Sequence, residues 1–252
     1  MKRIYYILCI AMLVTACKRE DKSAKLIEEY QALNERVSGE YQQAESPEMA
    51  DSILNVFINE AFALQQAEPK SEAAYVILSD LFYILSMEQK EQAFAVLNPD
   101  SLEAHDLKSK YDAFQAEKQT AVGLKFTDFK AFTADNNEAA LSEFVGKSDF
   151  LIVDFWASWC GPCRRSMPGL KDLLAQHSDK LSIVGVSVDE SEESWQQAVE
   201  ALELTWTQLR DAKDEGSKAY GIIAIPHTVL ISRDGTILAH NPSHAEIEEL
   251  IK

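Results

Sequence analysis

The segment Phe150-Leu151-Ile152-Val153-Asp154-Phe155 constrains this chain most, because it is an apolar run broken by a single acid. A run without alternation predicts a strand buried on both faces, the centre of a sheet covered by helices. It leads through Trp156-Ala157-Ser158-Trp159 into Cys160-Gly161-Pro162-Cys163, where helical spacing begins and continues to about His177. Downstream, the pattern predicts a strand over 181–188, a helix over 193–204 and a short strand over 206–209. A helical turn or two follows over 215–220. Strands over 227–231 and 236–240 are joined by the Arg233-Asp234-Gly235 turn, and a helix over 246–251 closes the chain. Upstream, 122–129 alternates, and Ala134-Asp135-Asn136-Asn137 suggests a hairpin turn. Residues 120–252 therefore read as an α/β domain with a mixed sheet flanked by helices.

Residues 24–119 read differently, as an all-α domain. Leu26, Ile27, Tyr30, Leu33 and Val37 recur at helical spacing. So do Ile53, Leu54, Phe57, Ile58, Ala61 and Leu64, and then Ala74, Ile77, Leu78, Leu81, Phe82 and Leu85. Ser46-Pro47-Glu48 looks like a cap with proline in the first turn, and Glu68-Pro69 like another such start. Four or five helices in an antiparallel bundle are expected, and none carries a cluster suited to chemistry.

The net charge of −17 argues against nucleic acid or an anionic lipid surface as partner, since phosphates are repelled. Four cysteines, at 9, 17, 160 and 163, are too few for a disulfide scaffold. Two lie in a leader with a basic start, Lys2 and Arg3, an apolar stretch over 4–14, and Thr15-Ala16 ahead of Cys17. The apolar stretch is much shorter than the ~20 residues of a membrane-spanning helix. Its order is that of a secretory signal over 1–16. Leu13-Val14-Thr15-Ala16-Cys17 resembles a bacterial lipobox, which implies acylation of Cys17; a plain secretory signal is the competing reading. Residues 17–23 then form a polar tether.

The remaining pair carries the chemistry. A cysteine at a helix N-terminus meets unpaired N–H groups and the positive end of the dipole, both of which favour a thiolate. Cys160 is thus the expected nucleophile, and Cys163, three residues on, the resolving thiol. Gly161 permits close approach of a substrate backbone, and Pro162 needs no N–H partner. A zinc site would need a second ligand pair, and His105, His177, His227, His240 and His244 do not supply the usual spacing. A static disulfide closing so short a loop contributes little chain entropy. Asp154 is costly to ionise inside its apolar strand, so its pKa should rise, and it is placed to take the Cys163 proton. Pairing with an unseen cation, or a turn toward a polar pocket, is the alternative. Pro226, before the strand that starts at His227, fits a cis and a trans turn proline equally from spacing alone.

Val153-Asp154-Phe155-Trp156-Ala157-Ser158-Trp159-Cys160-Gly161-Pro162-Cys163 resembles the active-site segment of thioredoxins. Arg164-Arg165-Ser166-Met167-Pro168 is similar to the TlpA/ResA branch of membrane-tethered members. The same branch is resembled by 122–129, by Val184-Gly185-Val186-Ser187-Val188-Asp189, and by 220–231 ahead of Asp234-Gly235. The resemblance spans about 122–252. It implies the thioredoxin-like fold, a cis bond before Pro226, nucleophilic Cys160, resolving Cys163, their redox disulfide and a buried acid at Asp154. Trp159, Gly161, Pro162, Ile225 and His227 are the implied substrate contacts. The branch often has glutamate where Ser166 stands, so that carboxylate's role is absent here. His227 replaces a frequent threonine; substrate contact, tuning of Cys160 and a plain rim position all fit.

The Gly161-Pro162 pair resembles that of strongly reducing members, which implies an enzyme that reduces protein disulfides. The leader with its lipobox at Cys17 would put it in the cell envelope, lipid-anchored on the periplasmic face. A membrane thiol donor of the CcdA/DsbD kind would recharge it, and no metal, flavin or nucleotide cofactor is needed. Cytochrome c maturation or repair of mis-oxidised proteins would be its uses. An oxidase or isomerase, a peroxide-reducing enzyme, and a helical binding lipoprotein with an accessory redox domain are the rival readings.

Overall fold

A computed structural model describes residues 22–252. The signal over 1–16 and the proposed lipid site Cys17 lie outside the described residues. The chain forms two compact units. The first takes the described residues up to Leu85 together with Glu91–Asn98, and the second takes Ser86–Lys90 and Pro99–Lys252.

The first unit is built on α1 (Lys22–Gln42), α2 (Pro47–Ala67) and α3 (Glu72–Leu81), which pack pairwise. α1 buries Leu26, Tyr30, Leu33 and Val37, the stripe expected from the sequence. Lys22 and Ser23, expected in the tether, already belong to α1, and Ser23 is buried because its hydroxyl accepts from the Ala73 N–H at 2.9 Å. Ser46 caps α2 with Pro47 in its first turn, as read from the sequence. α3 begins three residues beyond Pro69, where the Ser71 side chain accepts from the Ala74 N–H and supplies the cap. Helix α4 (Met87–Ala95) straddles the division of the chain.

The second unit opens with α5 (Lys108–Gln119) and then alternates. A hairpin, β1 (Lys130–Phe132) and β2 (Glu138–Ala140), precedes β3 (Phe150–Trp156), α6 (Gly161–Gln176), β4 (Leu181–Ser187), α7 (Glu192–Ala201) and β5 (Thr207–Arg210). Then follow α8 (Glu215–Ala219), β6 (His227–Ser232), β7 (Ile237–His240) and α9 (His244–Leu250). The seven strands form one sheet in the order β2-β1-β5-β4-β3-β6-β7. β3 pairs in parallel with β4 and antiparallel with β6, which makes the apolar run the sheet's centre. One face carries a core from Ile152, Trp156, Met167, Leu170, Ile183, Trp195, Trp206 and Ile247. The other carries Phe129, Val153, Phe155, Val186, Leu209, Tyr220 and Val229. Both faces of β3 are therefore covered, and the fold is the expected thioredoxin-like one. Residues 122–129 form no strand of their own; they reach the sheet through an isolated bridge, Lys125 to Thr236, and through Phe129 in the core.

Gly221 fixes the approach to Pro226. Its φ is +63°, and a Cβ there would stand 2.3 Å from the Ala113 carbonyl oxygen of α5. Gly123 has φ +89° with nothing within 4 Å. Gly221→Ala should therefore cost about 2–3 kcal/mol in urea unfolding, and Gly123→Ala only about 1 kcal/mol. Equal losses would show that the contact with Ala113 contributes nothing.

Candidate active site

Cys160 is the N-cap of α6, with Gly161 and Pro162 in the first turn. Its Sγ accepts from the Cys163 N–H at 3.1 Å, the interaction by which a helix terminus favours a thiolate. The two cysteines are joined in a disulfide. Cys163 is fully buried, whereas Cys160 is 5% exposed and rimmed by Trp159 (70% exposed), Gly161 and Pro162. The Ile225–Pro226 peptide is cis, and the Ile225 carbonyl oxygen lies 3.8 Å from Cys160 Sγ. Pro226 is exposed and Ile225 half-buried at the same mouth. Pro168 lies inside α6, which tolerates it, and the Ser166 hydroxyl donates to the Cys163 carbonyl at 2.8 Å.

Asp154 is 1% exposed on β3, on the face that Ile152, Trp156 and Cys163 fill. Burial pushes its carboxyl up to about 6, opposed by a hydrogen bond that the Thr228 hydroxyl donates to Oδ1 at 3.3 Å. Oδ2 is buried without a partner.

Three supporting residues escaped the sequence reading. Asp189 accepts from the Ser158 N–H at 2.8 Å, the Ser158 hydroxyl at 2.6 Å and the Ser187 hydroxyl at 2.7 Å, and so pins the loop that delivers Cys160. Its only sequence signal is the resemblance of 184–189 to the TlpA/ResA branch. Thr228 was hidden because its link to Asp154 depends on strand register. Gln208 accepts from Trp156 Nε1 at 3.1 Å. Its signal was Gly185, since glycine inside a strand marks the close approach of another group.

His227 lies apart from the sulfur chemistry, on the Phe155 side of the sheet. His240 Nε2 is 2.6 Å from the Thr120 carbonyl, so that nitrogen carries the hydrogen and Nδ1 accepts. His227 Nε2 therefore donates to His240 Nδ1 at 3.1 Å, and His227 Nδ1 accepts from Asn241 Nδ2 at 3.3 Å. A proton added to His227 has no acceptor left. Burial, with the charges of His240 and Lys90 behind it, pushes His227 down to about 4. The unfolded ring, near 6.5, takes the proton first, so stability should fall as pH drops from 6.5 toward 4. His227→Phe should flatten that part of the urea-midpoint curve; an unaltered slope would refute the assignment.

The AhpC/TSA family profile matches residues 122–240. The thiol–disulfide oxidoreductase ResA of Geobacillus thermodenitrificans is 33% identical over 50% of this chain and 73% of its own length. ResA of Bacillus cereus is 27% identical over 55% of this chain and 82% of its own. Among solved structures, the thioredoxin domain of a thiol–disulfide oxidoreductase from Bacteroides vulgatus is similar with 29% identity and a TM-score of 0.48. That match covers 52% of this chain and 99% of the solved one.

Proposed function

The chain belongs to the ResA-like thiol–disulfide oxidoreductases, and from that premise we propose that it reduces protein disulfides outside the cytoplasm through Cys160 and Cys163. The observation that carries this reading is the placement of Cys160 Sγ at the α6 N-cap, 3.8 Å from the Ile225 carbonyl, with Cys163 sealed behind it.

In the reduced enzyme the Cys160 thiolate attacks one sulfur of a substrate disulfide. The other substrate sulfur leaves as a thiolate, and a mixed disulfide remains. Asp154 takes the proton of Cys163; that thiolate attacks Cys160 Sγ and releases the second substrate sulfur. Two electrons pass to the substrate, and the enzyme is left in the disulfide form. Trp159, Gly161, Pro162, Ile225 and Pro226 form the rim that an extended substrate segment meets. His227 orders β6 behind that rim through His240 and Asn241 and leaves substrate contact to its neighbours.

The Gly161-Pro162 pair, which resembles strongly reducing members of the fold, supports the reductive direction. The leader over 1–16 and the lipobox at Cys17 support export and a lipid anchor. An enzyme so placed needs electrons, and a membrane dithiol donor of the CcdA/DsbD kind would supply them. Equilibration with a dithiol buffer tests the direction. A midpoint near the about −270 mV of thioredoxin is expected, and one near −120 mV would make the protein an oxidase.

A further inference from the structure

Thr228, Asp154, Gly185 and Gln208 form one row across four adjacent strands, each in register with the next. Residues in register project to one face, here the face that Trp156, Ile183, Trp206 and Cys163 fill. Gly185 offers no side chain, and the Gln208 amide lies over the gap. A Cβ at Gly185 would stand 2.3 Å from Gln208 Oε1 and 2.7 Å from Nε2. Trp156 Nε1 donates to Oε1, which fixes the amide's orientation and leaves the hydrogens of Nε2 for another acceptor. Nε2 is buried without a partner, and so is Asp154 Oδ2.

One orphan is a donor and the other an acceptor. Strand spacing of ~4.8 Å separates the Gly185 gap from Asp154, room enough for one bridging water. Buried polar atoms in native proteins are almost always satisfied, and a single water between these two would satisfy both. The Thr228 hydroxyl of β6 donates to Asp154, and the cluster on this face of the sheet includes Cys163, Met167 and Leu170 of α6. Only burial and that hydroxyl displace the carboxyl, so no charged side chain competes for it.

We propose that Gln208 is a positioning residue whose Nε2, through one water held over Gly185, donates to the free oxygen of Asp154 and steadies the carboxylate that receives the Cys163 proton. The proposal rests on the role given to Asp154 in the resolving step. Neither Gln208 nor Gly185 would touch substrate or sulfur.

The test uses full-length protein and two variants, Gln208→Leu, which removes the donor, and Gly185→Ala, whose methyl displaces the amide. The Asp154 carboxyl is titrated by carbon-detected NMR, and single-turnover reduction of a disulfide peptide is followed from pH 5 to 9. A hydrogen bond to a carboxylate favours its ionised form. Both variants should therefore raise the carboxyl midpoint by about 0.5–1 pH unit, and the acid limb of the rate profile should follow. Loss of packing alone would slow the rate without moving either midpoint. An Asp154 midpoint unchanged in folded Gln208→Leu overturns the proposal; if that variant fails to fold, Gly185→Ala decides by the same criterion. If the midpoint moves while Asp154→Asn leaves the rate profile as it was, the role of Asp154 in resolution fails and the link from Gln208 stands.

Discussion

Cys163→Ser should turn the protein into a covalent trap, while Cys160→Ser should leave it inert, with both variants falling to the uncatalysed rate of disulfide reduction. The asymmetry follows from burial. Cys163 is sealed within α6 packing, so an incoming disulfide meets Cys160 first, between exposed Trp159, Gly161 and Pro162. The thiolate of Cys160 is favoured by the N–H of Cys163 and by the helix terminus, and serine in that place is a far weaker nucleophile at neutral pH. Without the Cys163 thiol the mixed disulfide at Cys160 has no internal exit. Mass spectrometry of Cys163→Ser incubated with a disulfide peptide should show one adduct, released by a small dithiol. An adduct on Cys160→Ser with none on Cys163→Ser would reverse the two roles.

The parts of the site that sequence reading reached are those fixed by short spacing. Three positions separate Cys160 from Cys163, and an apolar strand followed by a glycine–proline turn sets the helix start, so the nucleophile could be placed from local chemistry alone. Asp154 was legible for the same reason, as an acid in an otherwise apolar run. Its environment was not. The Thr228 hydroxyl comes from 74 positions away, and Gln208 reaches the Trp156 indole from 52 positions away across β4 at Gly185, which has no side chain. Such contacts depend on register between strands, which no local pattern encodes. The helical stretch shows the same limit. The stripe of α1 was read correctly, but α5 lies in the compact unit of the sheet, where Ala113 meets Gly221 and Thr120 meets His240. Periodicity names a buried face without naming what covers it.

Asp154→Asn should slow the resolving step and stabilise the protein at alkaline pH, two effects with one cause. Burial raises the carboxyl from the ordinary 3.8 to about 6, so the native state holds that proton more tightly than the unfolded chain. Between those values the folded state binds more protons, and stability must fall as pH rises through the window. Above about pH 6 the full penalty is present, worth about 3 kcal/mol from the displacement. Asparagine carries no charge there. The variant should gain up to about 3 kcal/mol at pH 8 in urea unfolding and almost nothing at pH 4. His227 gives a slope of opposite sign over 4 to 6.5, so a His227→Phe background isolates the contribution of Asp154. The same carboxylate, costly to hold ionised, is a base well matched to a thiol proton near neutrality. Decay of the mixed disulfide should therefore slow by about 10²-fold at pH 7 in Asp154→Asn. The gap should close as pH approaches the ordinary thiol range and Cys163 ionises unaided. A stability gain at pH 8 without a change in decay would leave Asp154 a buried acid that takes no part in resolution; a slower decay without that gain would mean that its charge is compensated in the fold.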